Sequence, residues 1–169
     1  MIEVIQTLIQ RYANRGAFID SNLLLLLIIG TIDESIIARF KRTQKYTVED
    51  YHALAQLLAP FSMLCTTPNV LTEVSNLGNA LELERKLLFF NLLSQRIKAL
   101  DERYFPSQQI AESPEFIKFG LTDSVLINLS IQGILLVTDD FPLAQYAQWA
   151  GADVINFNHI RQVTLGQSR

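Results

Sequence analysis

The sequence predicts an α/β fold, a parallel sheet covered by helices on both faces, and three observations carry that reading. Short apolar runs recur at Gly16-Ala17-Phe18-Ile19, at Phe61 to Thr66 and at Ile134-Leu135-Leu136-Val137-Thr138. Segments with the three-and-four spacing of amphipathic helices lie between them. Apolar strands alternating with helices are the pattern of a parallel sheet buried on both sides. The length, 169 residues, and a composition of 49% hydrophobic and 18% charged residues suit one compact domain, 1–169, with a sizeable core.

Taken in order, Ile5, Leu8, Ile9 and Tyr12 place the first helix over Ile2 to Tyr12. Ala17 to Asp20 reads as the first strand, ending in a carboxylate. The apolar block Leu23 to Ile29 is far shorter than the ~20 residues of a membrane span and reads as core. A charged segment running to Lys45 is expected to be helical in part. Thr47 with Asp50 gives a capping-box start to a helix whose stripe is Tyr51, Leu54, Leu57 and Leu58, and Pro60 ends it.

Phe61 to Thr66 is the second strand, and Thr67-Pro68 starts the next helix, since a hydroxyl caps well and proline suits a first turn. Glu73 lies on that helix at the edge of the stripe Val70, Leu71, Val74 and Leu77, aimed at the sheet margin. A long helix is expected from Ala80 to Leu100, and Ser107 to Gly120 carries no readable pattern. Thr122 is expected to cap a helix from Asp123 to Gln132 that stops at Gly133. The strand to Thr138, a helix from Pro142 to Ala150 and a last strand from Asp153 to Phe157 complete the chain.

Composition limits the function. The N-terminus carries no export signal, and the single cysteine, Cys65, reads as a buried strand thiol, so a reducing cytoplasm is expected and no membrane partner. A net charge of −3 argues at first against a polyanionic partner. If four of the 17 acidic residues hold a cation, however, 13 remain against 14 Lys and Arg, and the rest of the surface is about neutral.

Those four are Asp20, Glu73, Asp123 and Asp140. Asp20 and Asp140 both fall at carboxyl ends of strands, where open parallel sheets bind ligands. Each acid has a structural alternative: Asp123 can favour a helix macrodipole, Asp140 or Asp139 can cap the helix near Pro142, and Glu73 can be a solvated helix residue. Asp20 has the weakest such alternative. Converging carboxylates repel, by about 4 kcal/mol per pair at 4 Å and an effective dielectric of 20, and a divalent cation reverses the sign. An all-oxygen set without a histidine or cysteine cluster suits Mg²⁺ or Mn²⁺, and His52 and His159 read as surface or partly packed.

Four strings carry a resemblance. They are Phe18-Ile19-Asp20-Ser21-Asn22-Leu23-Leu24, Thr66-Thr67-Pro68-Asn69-Val70-Leu71-Thr72-Glu73-Val74, Leu121-Thr122-Asp123-Ser124-Val125-Leu126-Ile127 and Leu136-Val137-Thr138-Asp139-Asp140. In this order they resemble the four motifs of the PIN-domain family. The aspartate two positions after the strand-end threonine selects Asp140 and leaves Asp139 as a helper. The resemblance implies a three-layer sandwich with about five mainly parallel strands flanked by helices, and an acidic pocket that cleaves RNA with Mg²⁺ or Mn²⁺. The family includes toxins of toxin-antitoxin pairs, ribosomal RNA processing nucleases and decay factors. An antitoxin protein and a second copy of the chain are therefore expected partners beside single-stranded RNA. Helical insertions near 31–60 and 100–120 make the chain longer than the compact toxins.

On this reading Asp20, Asp123 and Asp140 are metal ligands, Glu73 ligates or orients a water, and all four are catalytic. Ser21, Asn22, Thr138 and Asp139 would orient them. Arg39, Lys41, Arg42 and Lys45, beside Phe40 and Tyr46, would track phosphates and stack bases. Two alternatives remain: a nucleic-acid- or partner-binding module that no longer turns over, and a phosphatase of the haloacid-dehalogenase type. The latter would want an aspartate where Asn22 stands.

Overall fold

A computed structural model describes residues 2–167. Five strands form one all-parallel sheet, β1 (Ala17–Ile19), β2 (Leu64–Thr66), β3 (Asp101–Glu102), β4 (Leu135–Thr138) and β5 (Val154–Asn156), in the order β3-β2-β1-β4-β5. The α/β sandwich of about five parallel strands is therefore present. The chain first winds from β1 outward through β2 to β3, then returns to place β4 on the other side of β1. That reversal makes the β1/β4 boundary the topological switch point, where a crevice opens beyond the strand ends. Ile19 lies level with Val137, and the Asp20 amide donates to the Val137 carbonyl at 3.2 Å, so the residues after β1 and β4 emerge side by side.

The helices pack on this sheet for legible reasons. Helix α1 (Ile2–Tyr12) buries Leu8 and Tyr12. Helix α2 (Ser21–Ile32) is the leucine block, buried on nearly every side with Leu23, Leu25, Leu26, Ile28 and Ile29 fully covered. A helix apolar all round belongs in a core, and α2 fills it against α3 (Val48–Leu58), α4 (Pro68–Gly78) and α5 (Leu83–Ala99). The capping box of Thr47 and Asp50 and the cap of Thr67 on Val70 are both formed. Helices α6 (Ser107–Ala111), α7 (Phe116–Ile131), α8 (Phe141–Trp149) and α9 (Phe157–Gln167) complete the layers. None of the described helices is long and apolar enough to cross a membrane.

The charged segment after Ile32 holds one 3-10 turn, Glu34–Ile36, and then non-helical turns pinned by the buried Thr43 hydroxyl donating to the Ile37 carbonyl at 2.8 Å. Strand β3 and helices α6 and α9 were not foreseen. A helical segment does begin close to the expected Thr122–Asp123 start, but its boundary is Gly120 and not a Thr122 cap. Helix α7 starts at Phe116 and is broken at Gly120, where φ 71 and ψ −171 lie in a region only glycine occupies readily. A Cβ at Gly120 would meet nothing within 4 Å, so Gly120→Ala is expected to cost about 1–2 kcal/mol through backbone strain alone, read as a lowered denaturation midpoint.

Candidate active site

Beyond the ends of β1 and β4 lies a cleft of about 570 Å³ lined by Asp20, Glu73, Asp123 and Asp140, together with Ser21, Asn22, Asn76 and Thr122. The four acids singled out from the sequence thus share one cavity. They differ in depth: Asp20 is 5% exposed at its floor, Asp123 is partly buried, and Glu73 and Asp140 are exposed.

Asp20 is the most heavily bonded. One oxygen accepts from the Leu23 amide at 2.8 Å and caps α2; the other accepts from the Asp139 amide at 3.0 Å and from the Thr138 hydroxyl. The structural role judged weakest in the sequence is therefore fully present, because the apolar block after Asp20 is a helix that needs a cap. Asp140 caps α8 through one oxygen, accepting from the Leu143 amide at 2.8 Å. The Thr138 hydroxyl joins the two acids, donating to Asp20 and accepting from the Asp140 amide at 3.0 Å. Thr138→Val, nearly the same shape, removes one of two donors to the Asp20 oxygen and takes the acceptor from the Asp140 amide, and is expected to cost about 1–2 kcal/mol in urea denaturation.

Glu73 is held by two hydroxyls, with Ser21 donating to Oε2 and Thr122 to Oε1, both at 2.6 Å. This explains why Thr122 is no cap: its hydroxyl ties α7 to α4. Asp123 stands apart, with no hydrogen bond to its carboxylate among the described residues. Burial first, then the charges of Asp140, Asp20 and Glu73, push its carboxyl up to about 7. Asp20 is likewise pushed up, by burial and then by Asp139, against the lowering effect of its hydrogen bonds.

Asp139 faces away from the cleft and anchors its back wall. Its carboxylate accepts from the Tyr46 hydroxyl at 2.6 Å and pairs with the Lys45 ammonium at 2.5 Å, while its carbonyl accepts from Asn158 at 2.6 Å. Asn22 reaches Asp139 only at 3.5 Å. Tyr46, expected to stack bases, instead holds Asp139, and Asn158 was missed in the sequence, since neither belongs to a motif with the strand ends. A buried tyrosine hydroxyl needs a partner, but the sequence does not say which.

The basic segment is placed differently from the cleft. Arg39, Lys41, Arg42 and Lys45 are absent from the described lining; Arg39 borders a separate groove with Arg85, and Lys41 and Arg42 are exposed. Tyr46 is 1% exposed and packed under Lys45 and Arg161, so it is unable to stack on a base. His52 is exposed against Glu34, and Cys65 is a buried thiol pushed up to about 11 by burial.

The donor chemistry is all oxygen, as a hard divalent cation requires. The acids do not yet converge on one point: among the described residues, no three His, Cys, Asp or Glu side chains form a metal-binding group. Fold and cleft together define a doubly wound α/β protein with an acidic crevice at its switch point. No family model matches the chain, and neither a curated protein nor a solved structure matches it.

Proposed function

We propose that this protein is a Mg²⁺- or Mn²⁺-dependent endoribonuclease that hydrolyses phosphodiester bonds in the four-carboxylate cleft. The observation that carries the reading is Asp123, a partly buried carboxylate without a hydrogen bond, facing three other carboxylates in one cavity. A structural acid would be capped or paired; a partly buried acid with no such partner among the described residues supports a role for a cation or a proton there.

Asp20, Asp123 and Asp140 would hold the ion. Each of Asp20 and Asp140 already spends hydrogen bonds on its own helix cap, which fixes the carboxylate direction before any ligand arrives. Glu73, steadied by Ser21 and Thr122, would orient the attacking water and accept its proton. When bound, the metal supplies charge neutralisation at the scissile phosphate and acidifies water. The family resemblance of the four motifs supports the same chemistry, and a toxin role with an antitoxin partner or a homodimer is part of that proposal.

A second reading, a nucleic-acid-binding module without turnover, draws on the lack of a converged ligand set and on the capping roles of Asp20 and Asp140. The test is an end-labelled unstructured RNA incubated with Mg²⁺, Mn²⁺ or chelator. Metal-dependent internal cleavage is expected. Saturable binding with no product under either metal would leave the binding module; equal product in chelator would sink the metal-dependent reading.

A further inference from the structure

The cleft has one wall that is not acidic. Phe119 and Leu143 line it on the side of α7 and α8, and from Phe119 a ladder of rings leads outward. Phe119 and Tyr146 stand with centroids 5.0 Å apart, and Tyr146 and Trp149 5.5 Å apart, all tilted rather than stacked face to face. Both inner rings are partly covered, whereas Trp149 is 78% exposed. The Lys118 ammonium lies over two rungs, 4.8 Å from the Phe119 centroid and 5.6 Å from that of Tyr146. Beyond Asp140, the whole of α8 carries no charged side chain.

We propose that this ladder is the binding track for single-stranded RNA entering the cleft, a reading that takes its occupant from the nuclease proposal above. Aromatic faces bind unpaired bases regardless of sequence, and a lysine above them meets the phosphate chain. Duplex bases hide those faces. The rings link Phe119 in the cleft lining to the exposed Trp149, so a strand with a base stacked on Trp149 and a phosphate at Lys118 is led toward the acidic cavity. The track therefore lies on α7 and α8 and not on the basic segment at 39–45, which is absent from the described cleft lining.

Trp149 is the chain's one tryptophan, so its emission reports the outer rung directly. The full chain in chelator, which separates binding from cleavage, would be titrated with unstructured RNA of about 12 nucleotides and with a blunt RNA duplex. Saturable quenching by the single strand and little by the duplex are expected. By anisotropy of labelled RNA, Trp149→Ala should bind roughly 5- to 100-fold more weakly. Lys118→Ala should weaken binding and lower the salt slope by about one charge. Trp149 is exposed, so its replacement leaves the core intact. Equal quenching by duplex, or wild-type affinity in both variants, would overturn the track. Because binding is read in chelator, an inactive protein that still shows the quench retains the track and loses only the nuclease reading.

Discussion

Asp140→Asn and Asp123→Asn proteins are expected to lose metal-dependent RNA cleavage by about a hundredfold or more while keeping their fold. A bound cation contributes several kcal/mol at the transition state, and about 2.7 kcal/mol corresponds to a hundredfold. The choice of variants follows from hydrogen bonding. Asparagine at position 140 retains an oxygen for the Leu143 amide, and asparagine is as good a cap as aspartate, so α8 keeps its start. The Asp123 carboxylate has no hydrogen bond to lose among the described residues. Asp20 is a poorer test: an amide there would turn an NH₂ toward the Asp139 amide or the Leu23 amide, and an unsatisfied buried group costs about 1–3 kcal/mol. Single-turnover rates with matched circular dichroism would read the result. Cleavage by both variants within a few-fold of wild type would show that the cleft is not the catalytic centre.

The same Asp123→Asn change is expected to stabilise the metal-free protein at pH 8 by about 2–3 kcal/mol. Burial and three carboxylates raise this carboxyl to about 7, so the folded state holds a proton that the unfolded chain releases near its ordinary value. Between roughly pH 4 and 7 the folded state therefore binds more protons, and stability falls as pH rises through that window, levelling off above it. A shift of about three pH units corresponds to ~4 kcal/mol, reduced here because the side chain is only partly buried and solvent screens it. Asparagine removes the titration. Chemical denaturation in chelator between pH 4 and 8 would show a falling wild-type curve and a flatter variant curve. Added Mg²⁺ should recover the wild-type loss at pH 8 and leave the variant nearly unmoved. Parallel pH curves for the two proteins would mean that neither burial nor its neighbours' charge raises the Asp123 carboxyl in the folded state.

Much of the fold was readable because strands β1 and β4 are continuous apolar runs, and α3 and α4 carry hydroxyl caps before a periodic stripe. What escaped had physical reasons. Strand β3 is two charged residues, Asp101 and Glu102, joined to β2 by backbone pairing and a long contact from the Cys65 thiol to the Asp101 carboxylate, and charges on an edge strand discourage further pairing. Helix α2 is covered on nearly all sides and so shows no amphipathic period, and this hid the cap role of Asp20. Asp20 and Asp140 were found because they follow the apolar strands β1 and β4, and Glu73 and Asp123 because they sit in motif strings within helices. The hydroxyl pair on Glu73 was not, since a contact between Thr122 and Glu73 spans 49 positions and depends on the Gly120 break.

The double duty of the strand-end acids bears on how this fold would age. If the protein is the nuclease proposed above, then in a descendant without that activity selection for folding alone would still hold positions 20 and 140 to the few residues that cap a helix, aspartate among them. Asp123 has no such protection. Its charge only burdens the empty pocket, so drift would replace it first, and a neutral residue at that position would betray a retired enzyme even when the other acids look untouched.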